Sequence, residues 1–196
     1  MAETTVSRAH PALHARVRIL ETADRLFYSE GIHTVGVDRL IAEAQVTKAT
    51  FYKYYRSKDN LIVAYVTSRD ERARALVADI FATYASPAER LKNLGGRIAG
   101  LLRESEFYGC AFVNAAAQFP EATHPVRQAV DVHREWYGVT IEDLFRALGH
   151  HRPGDAADDF LLARDGAYAG ASLGDPVAAQ AALRRAVARS IGQAEA

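Results

Sequence analysis

The chain has 196 residues and carries 24 basic and 24 acidic side chains, so its formal net charge is zero. Hydrophobic residues make up 49% of it, enough for a packed core, and no apolar run approaches the roughly 20 residues that span a bilayer. Its single cysteine excludes an internal disulfide framework and a cysteine-rich zinc site, and its start lacks the apolar stretch of a secretion signal. These features predict a soluble cytoplasmic protein with no membrane partner, and no motif predicts a metal or cofactor.

The balanced total hides a difference between the two ends of the chain. Up to Lys58 there are nine Lys and Arg residues against six Asp and Glu, whereas the remainder has fifteen against eighteen. A basic first third followed by an acidic remainder predicts a module that binds a polyanion, attached to a body that does not.

A helical pattern runs through almost the whole sequence, and no segment alternates as a strand does. The first predicted helix extends from Ala12 to Tyr28, where apolar residues recur every three or four positions, and Gly31 follows as a C-terminal cap. Two short helices come next. One covers VDRLIAEA from Val37, and the other follows Thr47, whose hydroxyl suits an N-cap.

Longer helices are predicted for the rest of the chain. The first begins after the N-cap Ser57. The sequence RPGD, residues 152–155, is expected to break the helix that runs to Leu148, and Gly174-Asp175 to split the last two helices. The predicted ranges are Lys58 to about Ala85, Pro87 to about Arg103, a short helix between Gly109 and Pro120, Pro125 to Leu148, Asp155 to Leu173, and Pro176 to Ile191. The sequence therefore predicts an all-α fold of about nine helices, with three helices in an N-terminal head.

The second and third helices are joined by the two-residue step Gln45-Val46, which is the layout of a helix-turn-helix unit. The following stretch, TKATFYKYYRSK, has four basic and four aromatic residues and no acidic one. Phe51 and Tyr55 are four residues apart and share a face, so they are expected to pack inward. The other residues expected to face inward are Leu40, Ala44 and Val46. The outward N-terminal end of the third helix is the end that enters the major groove in such units.

Four features stand together between Ile19 and about Val66: A-x-x-L-F-x-x-x-G from Ala23, the two-helix unit, T-K-A-T-F-Y from Thr47, and S-K-D-x-L from Ser57. With these motifs the segment strongly resembles the DNA-binding domain of the TetR family of transcriptional regulators. The resemblance implies a homodimeric repressor that leaves a palindromic double-stranded DNA operator when a small apolar or aromatic effector binds. It also implies an arm and DNA-binding domain over residues 1–57, and an effector-binding and dimerisation domain over residues 58–196.

The same resemblance implies which residues contact DNA. Lys48, Thr50 and Lys53 are expected to reach base edges, and most of the others to set the position of the protein through phosphates. The predicted set is Thr47, Lys48, Ala49, Thr50, Tyr52, Lys53, Tyr54 and Lys58. The alternative is a charged surface helix that only packs.

Gln45 departs from the family pattern, which commonly has a glycine in this turn. A residue there is expected to need a positive φ angle, which would cost Gln45 on the order of 1 kcal/mol. Tyr55 replaces the usual phenylalanine, and Ile41 a common alanine. These changes affect local stability and remove no predicted DNA contact.

Small residues recur every four positions in the penultimate helix, which would let another helix approach closely. With the apolar positions of the last helix they predict a dimer interface, although both helices could instead only close the monomer core. The predicted interface residues are Gly166, Gly170, Gly174, Val177, Ala181 and Val187.

Aromatic and polar side chains are concentrated between Phe107 and Tyr137, as in an apolar pocket with a few orienting polar groups. The pattern alone also describes ordinary core. The predicted effector-binding residues are Asn114, His133, Trp136 and Tyr137. Two other classes of function stay open: a small-molecule-binding protein without operator recognition, and an all-α enzyme that uses His133 with a nearby carboxylate.

Overall fold

The computed structural model describes the backbone of residues 11–193 and the side chains of residues 14–193. Within that span the chain forms nine α-helices and no strand, so the all-α prediction is confirmed. The helices are α1 Pro11–Glu30, α2 Val37–Glu43, α3 Lys48–Tyr55, α4 Lys58–Thr83, α5 Pro87–Leu101, α6 Ala111–Gln118, α7 Pro125–Leu148, α8 Pro153–Ser172 and α9 Pro176–Gly192. Residues 1–10 of the predicted N-terminal arm lie outside the described residues.

Local capping decides where most helices begin. The hydroxyl of Thr47 accepts from the amide of Thr50, and that of Ser57 accepts from the amide of Asn60, each at 3.1 Å. Both predicted N-caps are therefore confirmed. The predicted break at RPGD is wrong in its position, because α8 already begins at Pro153. Proline suits the first position of a helix, where its missing amide leaves no hydrogen bond unmade.

The chain divides into two compact units, an N-terminal unit up to Tyr65 and a C-terminal unit from Val66 onward. Helix α4 therefore contributes about its first two turns to the N-terminal unit and the rest to the C-terminal unit. The predicted domain boundary, between residues 57 and 58, falls at the junction of α3 and α4 and stays a prediction.

The core of the N-terminal unit is formed by apolar side chains from all its helices. The ring of Phe27 meets the ring of Tyr65 edge to face, with centroids 5.6 Å apart. Each fully buried side chain of this size contributes about 1.5–3 kcal/mol. The largest of them are Ile19, Leu26, Ile32, Leu40, Phe51, Leu61, Ile62 and Tyr65.

The C-terminal unit is built on the packing of α8 against α7 and α9, and of α5 against α7 and α9. A Cβ atom at Gly95 would lie 2.9 Å from Cγ2 of Val187, so α5 and α9 approach each other closely at a position that requires glycine. Val187 is 5% exposed and belongs to this core. Its predicted role in a dimer interface is therefore at odds with the structure, because its own chain already covers it.

Candidate functional site

The turn between α2 and α3 places the third helix. The amide of Gln45 donates to the carbonyl of Ala42, and that of Val46 to the carbonyl of Ile41, both at 3.2 Å. This pair of bonds is a Schellman ending, which needs one residue in the left-handed region and favours glycine there. Gln45 has a φ of 52°, so the predicted positive φ is confirmed.

Arg18 of α1 holds the same turn from outside. Its Nε donates to the carbonyl of Ala44 at 3.2 Å, and its Nη2 to the carbonyl of Gln45 at 3.5 Å. A cation at a helix C-terminus also interacts favourably with the helix dipole. This role was not predictable from the sequence, because a side chain 26 positions away carries no local signal for the turn.

The inner face of α3 is fixed by two aromatic side chains. Phe51 is fully buried, and the buried ring of Tyr55 ends in a hydroxyl that donates to the carbonyl of Arg16 at 3.0 Å. Burial raises the pKa of the Tyr55 phenol, with Arg16 acting in the opposite direction. The hydroxyl that distinguishes Tyr55 from a phenylalanine therefore ties the C-terminal end of α3 to α1.

The opposite face of α3 carries the predicted DNA contacts. Lys48, Ala49, Tyr52 and Lys53 are exposed, and no acidic residue occurs in the first turn. Three of the chain's four lysines lie within residues 48–58. The remaining members of the set are exposed Thr47 and half-buried Thr50, Tyr54 and Lys58. All eight predicted residues thus keep some surface, and the N-terminal end of α3 is free of negative charge.

Some of these side chains are engaged within the protein. The hydroxyls of Thr47 and Thr50 lie 2.8 Å apart, and the ammonium of Lys53 is 5.7 Å from the ring centroid of Tyr54. Lys58 lies 6.0 Å from the ring centroid of Phe27, and partial burial lowers its pKa. A hydroxyl keeps acceptor capacity when it takes part in one hydrogen bond, so the threonine pair can still meet DNA.

The junction of α3 with α4 is a second strained point. Arg56 has φ 61° and ψ −37°, and the amide of Ser57 donates across it to the carbonyl of Tyr55 at 2.7 Å. A bond spanning a single residue with these angles is a γ-turn of the rare, strained kind. Arg56 is exposed beside the predicted contact set and adds a further cation to this surface. Its basic type and its place in the stretch TKATFYKYYRSK were the only sequence signals for it.

An exposed ion-pair network joins α1 to α2. Arg39 pairs with Glu30 and, through Nε at 2.9 Å, with Glu43, which also binds Arg25. Hydrogen bonds from the two arginines hold the pKa of the Glu43 carboxyl below its usual range, and the bond from Arg25 has the larger effect. The network lies on the surface, where individual pairs stabilise little, so its main effect is on the relative position of the two helices.

The C-terminal unit contains a second candidate site, which we call the His133 cluster: Asp70, Arg74, Phe112, His133, Trp136 and Tyr137. Nδ1 of His133 lies 2.8 Å from Oδ1 of Asp70, and Nε of Arg74 is 2.7 Å from Oδ2 of the same carboxylate. His133 is 4% exposed, and burial lowers the pKa of its imidazole, although Asp70 acts to raise it. The cluster is thus a buried polar group surrounded by rings.

Three of the four predicted effector-binding residues meet in this cluster. The ring centroid of His133 is 5.7 Å from that of Trp136 and 6.1 Å from that of Tyr137. Asn114, by contrast, donates from Nδ2 to the carbonyl of Tyr108 at 2.8 Å and so braces the segment that precedes α6. Asp70 and Arg74 were not predictable from the sequence, because they come from α4 and only the fold brings them beside α7.

Arg164 of α8 adds a buried cation next to the cluster. Its guanidinium lies 4.7 Å from the ring centroid of Tyr137, and its Nη2 is 2.9 Å from Oδ1 of Asp165. Burial raises the pKa of the Tyr137 phenol, while Arg164 acts to lower it. The aromatic site therefore has arginines on two sides, Arg74 and Arg164.

The other predicted interface residues lie on α8, on α9 and between them. Gly166, Gly174 and Val177 are exposed, and Gly170 and Ala181 are half-buried. A Cβ atom at Gly170 would lie 3.4 Å from Cβ of Ala179, so this glycine already serves the crossing of α8 with α9 within one chain. In the part of the chain that the structure describes, no group of three or more His, Cys, Asp or Glu side chains could hold a metal ion.

None of the described helices is long and apolar enough to cross a membrane.

Comparison with known proteins places this arrangement among bacterial regulators. Residues 19–65 match the family model described as bacterial regulatory proteins, tetR family. The transcriptional regulator AcuR of Cereibacter sphaeroides is 30% identical over 155 residues, which are 74% of this chain and 70% of AcuR. The HTH-type transcriptional regulator LmrA of Bacillus subtilis is 26% identical over 133 residues, 66% of this chain and 71% of LmrA.

A solved structure is similar over nearly the whole length. The crystal structure of SCO4454, a TetR-family transcriptional regulator from Streptomyces coelicolor, superposes with a TM-score of 0.91 at 37% sequence identity. The similarity covers 94% of this chain and 97% of SCO4454. The match extends through both units and is not limited to the DNA-binding segment.

Proposed function

The chain belongs to the TetR family of transcriptional regulators, and we propose that it acts as a homodimeric repressor released from a palindromic operator by a small aromatic effector. The observation that carries the proposal is the outer face of α3. The first turn of α3 presents Lys48 and Thr50 and contains no acidic residue. The opposite face of the helix is held in place by the buried side chains of Phe51 and Tyr55. A positively charged helix end of this kind fits the major groove.

Each copy would read one half of the operator. In dimers of this type the two recognition helices enter successive major grooves about 34–36 Å apart, so the operator should be a palindrome with that spacing. Lys48, Thr50 and Lys53 would read base edges, while Tyr52, Tyr54 and Lys58 would set the register through phosphates.

The effector would bind at the His133 cluster and act through α4. This helix supplies Asp70 and Arg74 to the cluster, and it begins at Lys58, one of the predicted DNA contacts. The protein would exist in two conformations, one that fits DNA and one that does not. An effector releases the protein from DNA only if it binds the second conformation more tightly than the first. We propose that α4 is the lever that changes between the two conformations.

Dimerisation would use the exposed part of α8 and α9. Leu162, Leu173 and Val177 are exposed apolar side chains on or between these helices, at 70%, 88% and 65%. Large exposed apolar groups gathered on one pair of helices favour a protein interface. Gly166 and Gly174 would let the partner approach, whereas Val187 stays in the monomer core.

The proposal is tested by selecting bound sequences from a random DNA pool and measuring the affinity for the selected operator. We expect a palindrome, and a dissociation constant that rises steeply with salt because phosphate contacts release counterions. Lys48→Ala should weaken binding by about 1–3 kcal/mol and relax the preference at one base position.

Lys92→Ala is the matched control, because Lys92 is an exposed lysine on α5, outside the N-terminal unit. Equal affinities for the Lys48 variant, the Lys92 variant and the natural protein would contradict the assigned DNA surface. A protein that binds small molecules without operator recognition would yield no enriched DNA sequence.

A further inference from the structure

The protonation state of the His133 ring follows from its partner. Asp70 accepts a hydrogen bond from Arg74 on one oxygen and faces Nδ1 of His133 with the other. A carboxylate can only accept hydrogen bonds, so Nδ1 must carry the proton. Because burial lowers the pKa of the ring, the neutral form prevails near pH 7, and its second nitrogen has a free lone pair.

That second nitrogen, Nε2, has no hydrogen-bond partner among the described residues. The one side-chain nitrogen in the described chain that is both fully enclosed and unpaired is Nε2 of His150. Nε2 of His133 is therefore unpaired without being sealed off. This acceptor keeps some accessible surface in a residue that is only 4% exposed, so a hydrogen-bond donor of a ligand can reach it, and the atom is a point where a ligand can be bound.

The surroundings of the ring define the kind of ligand. Phe112 stacks on His133 with parallel planes and a centroid distance of 3.5 Å, and the guanidinium of Arg74 lies 4.1 Å from the ring centroid of Trp136. Aromatic ligands pack well among such rings. Arg74 and Arg164 would repel a protonated amine, and an ionised carboxylate offers no proton to Nε2.

We infer that the effector is a hydroxylated aromatic molecule, a phenol, whose O–H donates to Nε2 of His133. This deepens the proposed function, because it names the chemistry of the effector that the C-terminal unit would bind. His133 then acts as the specificity-determining residue of the site, and Asp70 positions it by fixing the proton on Nδ1.

The test is calorimetric titration of the full chain with three naphthalene probes of matched size. We expect 2-naphthol to bind about tenfold more tightly than 2-methoxynaphthalene, which has no proton to donate, or than 2-naphthoate. Equal or tighter binding of the ether or the carboxylate would overturn the inference, and so would a failure of all three probes to bind.

Two variants and one control variant separate recognition from folding. His133→Phe keeps an aromatic ring against Phe112 and should abolish the preference for 2-naphthol over its ether, whereas His151→Phe, at an exposed histidine of the same unit, should leave it unchanged. In Asp70→Asn the amide can donate to Nδ1, which lets the proton move to Nε2. The preference should then fall or reverse in favour of the ether.

The tautomer itself is measurable in the ligand-free protein. Nitrogen NMR of histidine-labelled protein should show His133 protonated at Nδ1, and 2-naphthol should shift its Nε2 resonance. Protonation at Nε2 in the free natural protein would contradict the inference.

These measurements need no DNA, so operator binding is tested separately. A phenol preference in a protein that selects no operator would leave the inference standing and reject the proposed regulator. Operator binding by a protein with no phenol preference would reject the inference and leave the proposed regulator standing.

Discussion

Gln45 and Arg56 have positive φ angles of 52° and 61°, one before and one directly after α3. Neither residue is a glycine, and such angles cost an ordinary side chain about 1–2 kcal/mol. Strain is kept where the surrounding structure determines the backbone, often at functional sites. Here both strained residues frame the helix that carries the predicted DNA contacts, and together they fix the directions in which the chain enters and leaves it.

Gln45→Gly should stabilise the N-terminal unit. Glycine removes the strain of the left-handed angle but gives the unfolded chain about 0.4–1 kcal/mol of extra entropy, so the expected net gain is about 0.5–1 kcal/mol. The free energy of unfolding, measured in urea, reports this gain. Gln45→Ala keeps the strain and should give no gain. A destabilised glycine variant would mean that the glutamine side chain makes a contribution larger than the strain.

His133 should make stability depend on pH. Its folded pKa lies below the usual value of 6.5, because burial outweighs Asp70 and is aided by Arg74 and Arg164. Above about pH 6.5 the ring is neutral in both states, and the stability is fully present. As the pH falls below that value, the unfolded chain takes up a proton that the folded ring resists, so stability is lost towards the folded pKa.

The measurement is the melting temperature between about pH 5 and 7, where this linkage acts. His133→Phe should flatten the fall in melting temperature on the acid side, and His151→Phe should not. An unchanged slope in the His133 variant would contradict the neutral, buried ring.

At the scale of elements, α2 depends on a residue far away in the chain. Arg18 supplies donors to the carbonyls of Ala44 and Gln45 at its C-terminal end. We expect Arg18→Leu to lower the free energy of unfolding by up to about 1 kcal/mol, as for a cation lost from a helix C-terminus. Because the same bonds hold the turn, operator affinity should fall as well.

Arg97→Leu is the comparison variant for both measurements, since Arg97 is an exposed arginine of α5 in the C-terminal unit. If the Arg18 and Arg97 variants bound the selected operator equally, the turn would not depend on Arg18.

The helices themselves were largely predictable because their signals are local. Thr47 and Ser57 cap the helices they precede, and Pro125 and Pro176 begin α7 and α9 as predicted. The predicted start of α8 at Asp155 is two residues late, because the helix begins at Pro153 and proline is a good first helical residue.

At the scale of the whole molecule, the proposed function requires a second copy of the chain. Val177→Glu would place a charge on the proposed α8–α9 interface, where a desolvated, unpaired carboxylate is unfavourable. We expect a shift from dimer to monomer in sedimentation velocity and loss of operator binding. Val132→Glu changes a similarly exposed valine on α7, 58% against 65% for Val177, and should leave both the dimer and operator binding unchanged. A Val177 variant that stayed dimeric would exclude this face.

The sequence by itself determined the all-α class, most helix ends, the strained turn at Gln45 and the family, because these depend on neighbouring residues and on a contiguous motif. Only the tertiary structure brought Asp70 and Arg74 to His133, bound Arg18 to the turn after α2, and enclosed Val187 against Gly95. Each of these contacts joins residues far apart in the chain, and their pairing is set by how helices pack rather than by any local pattern.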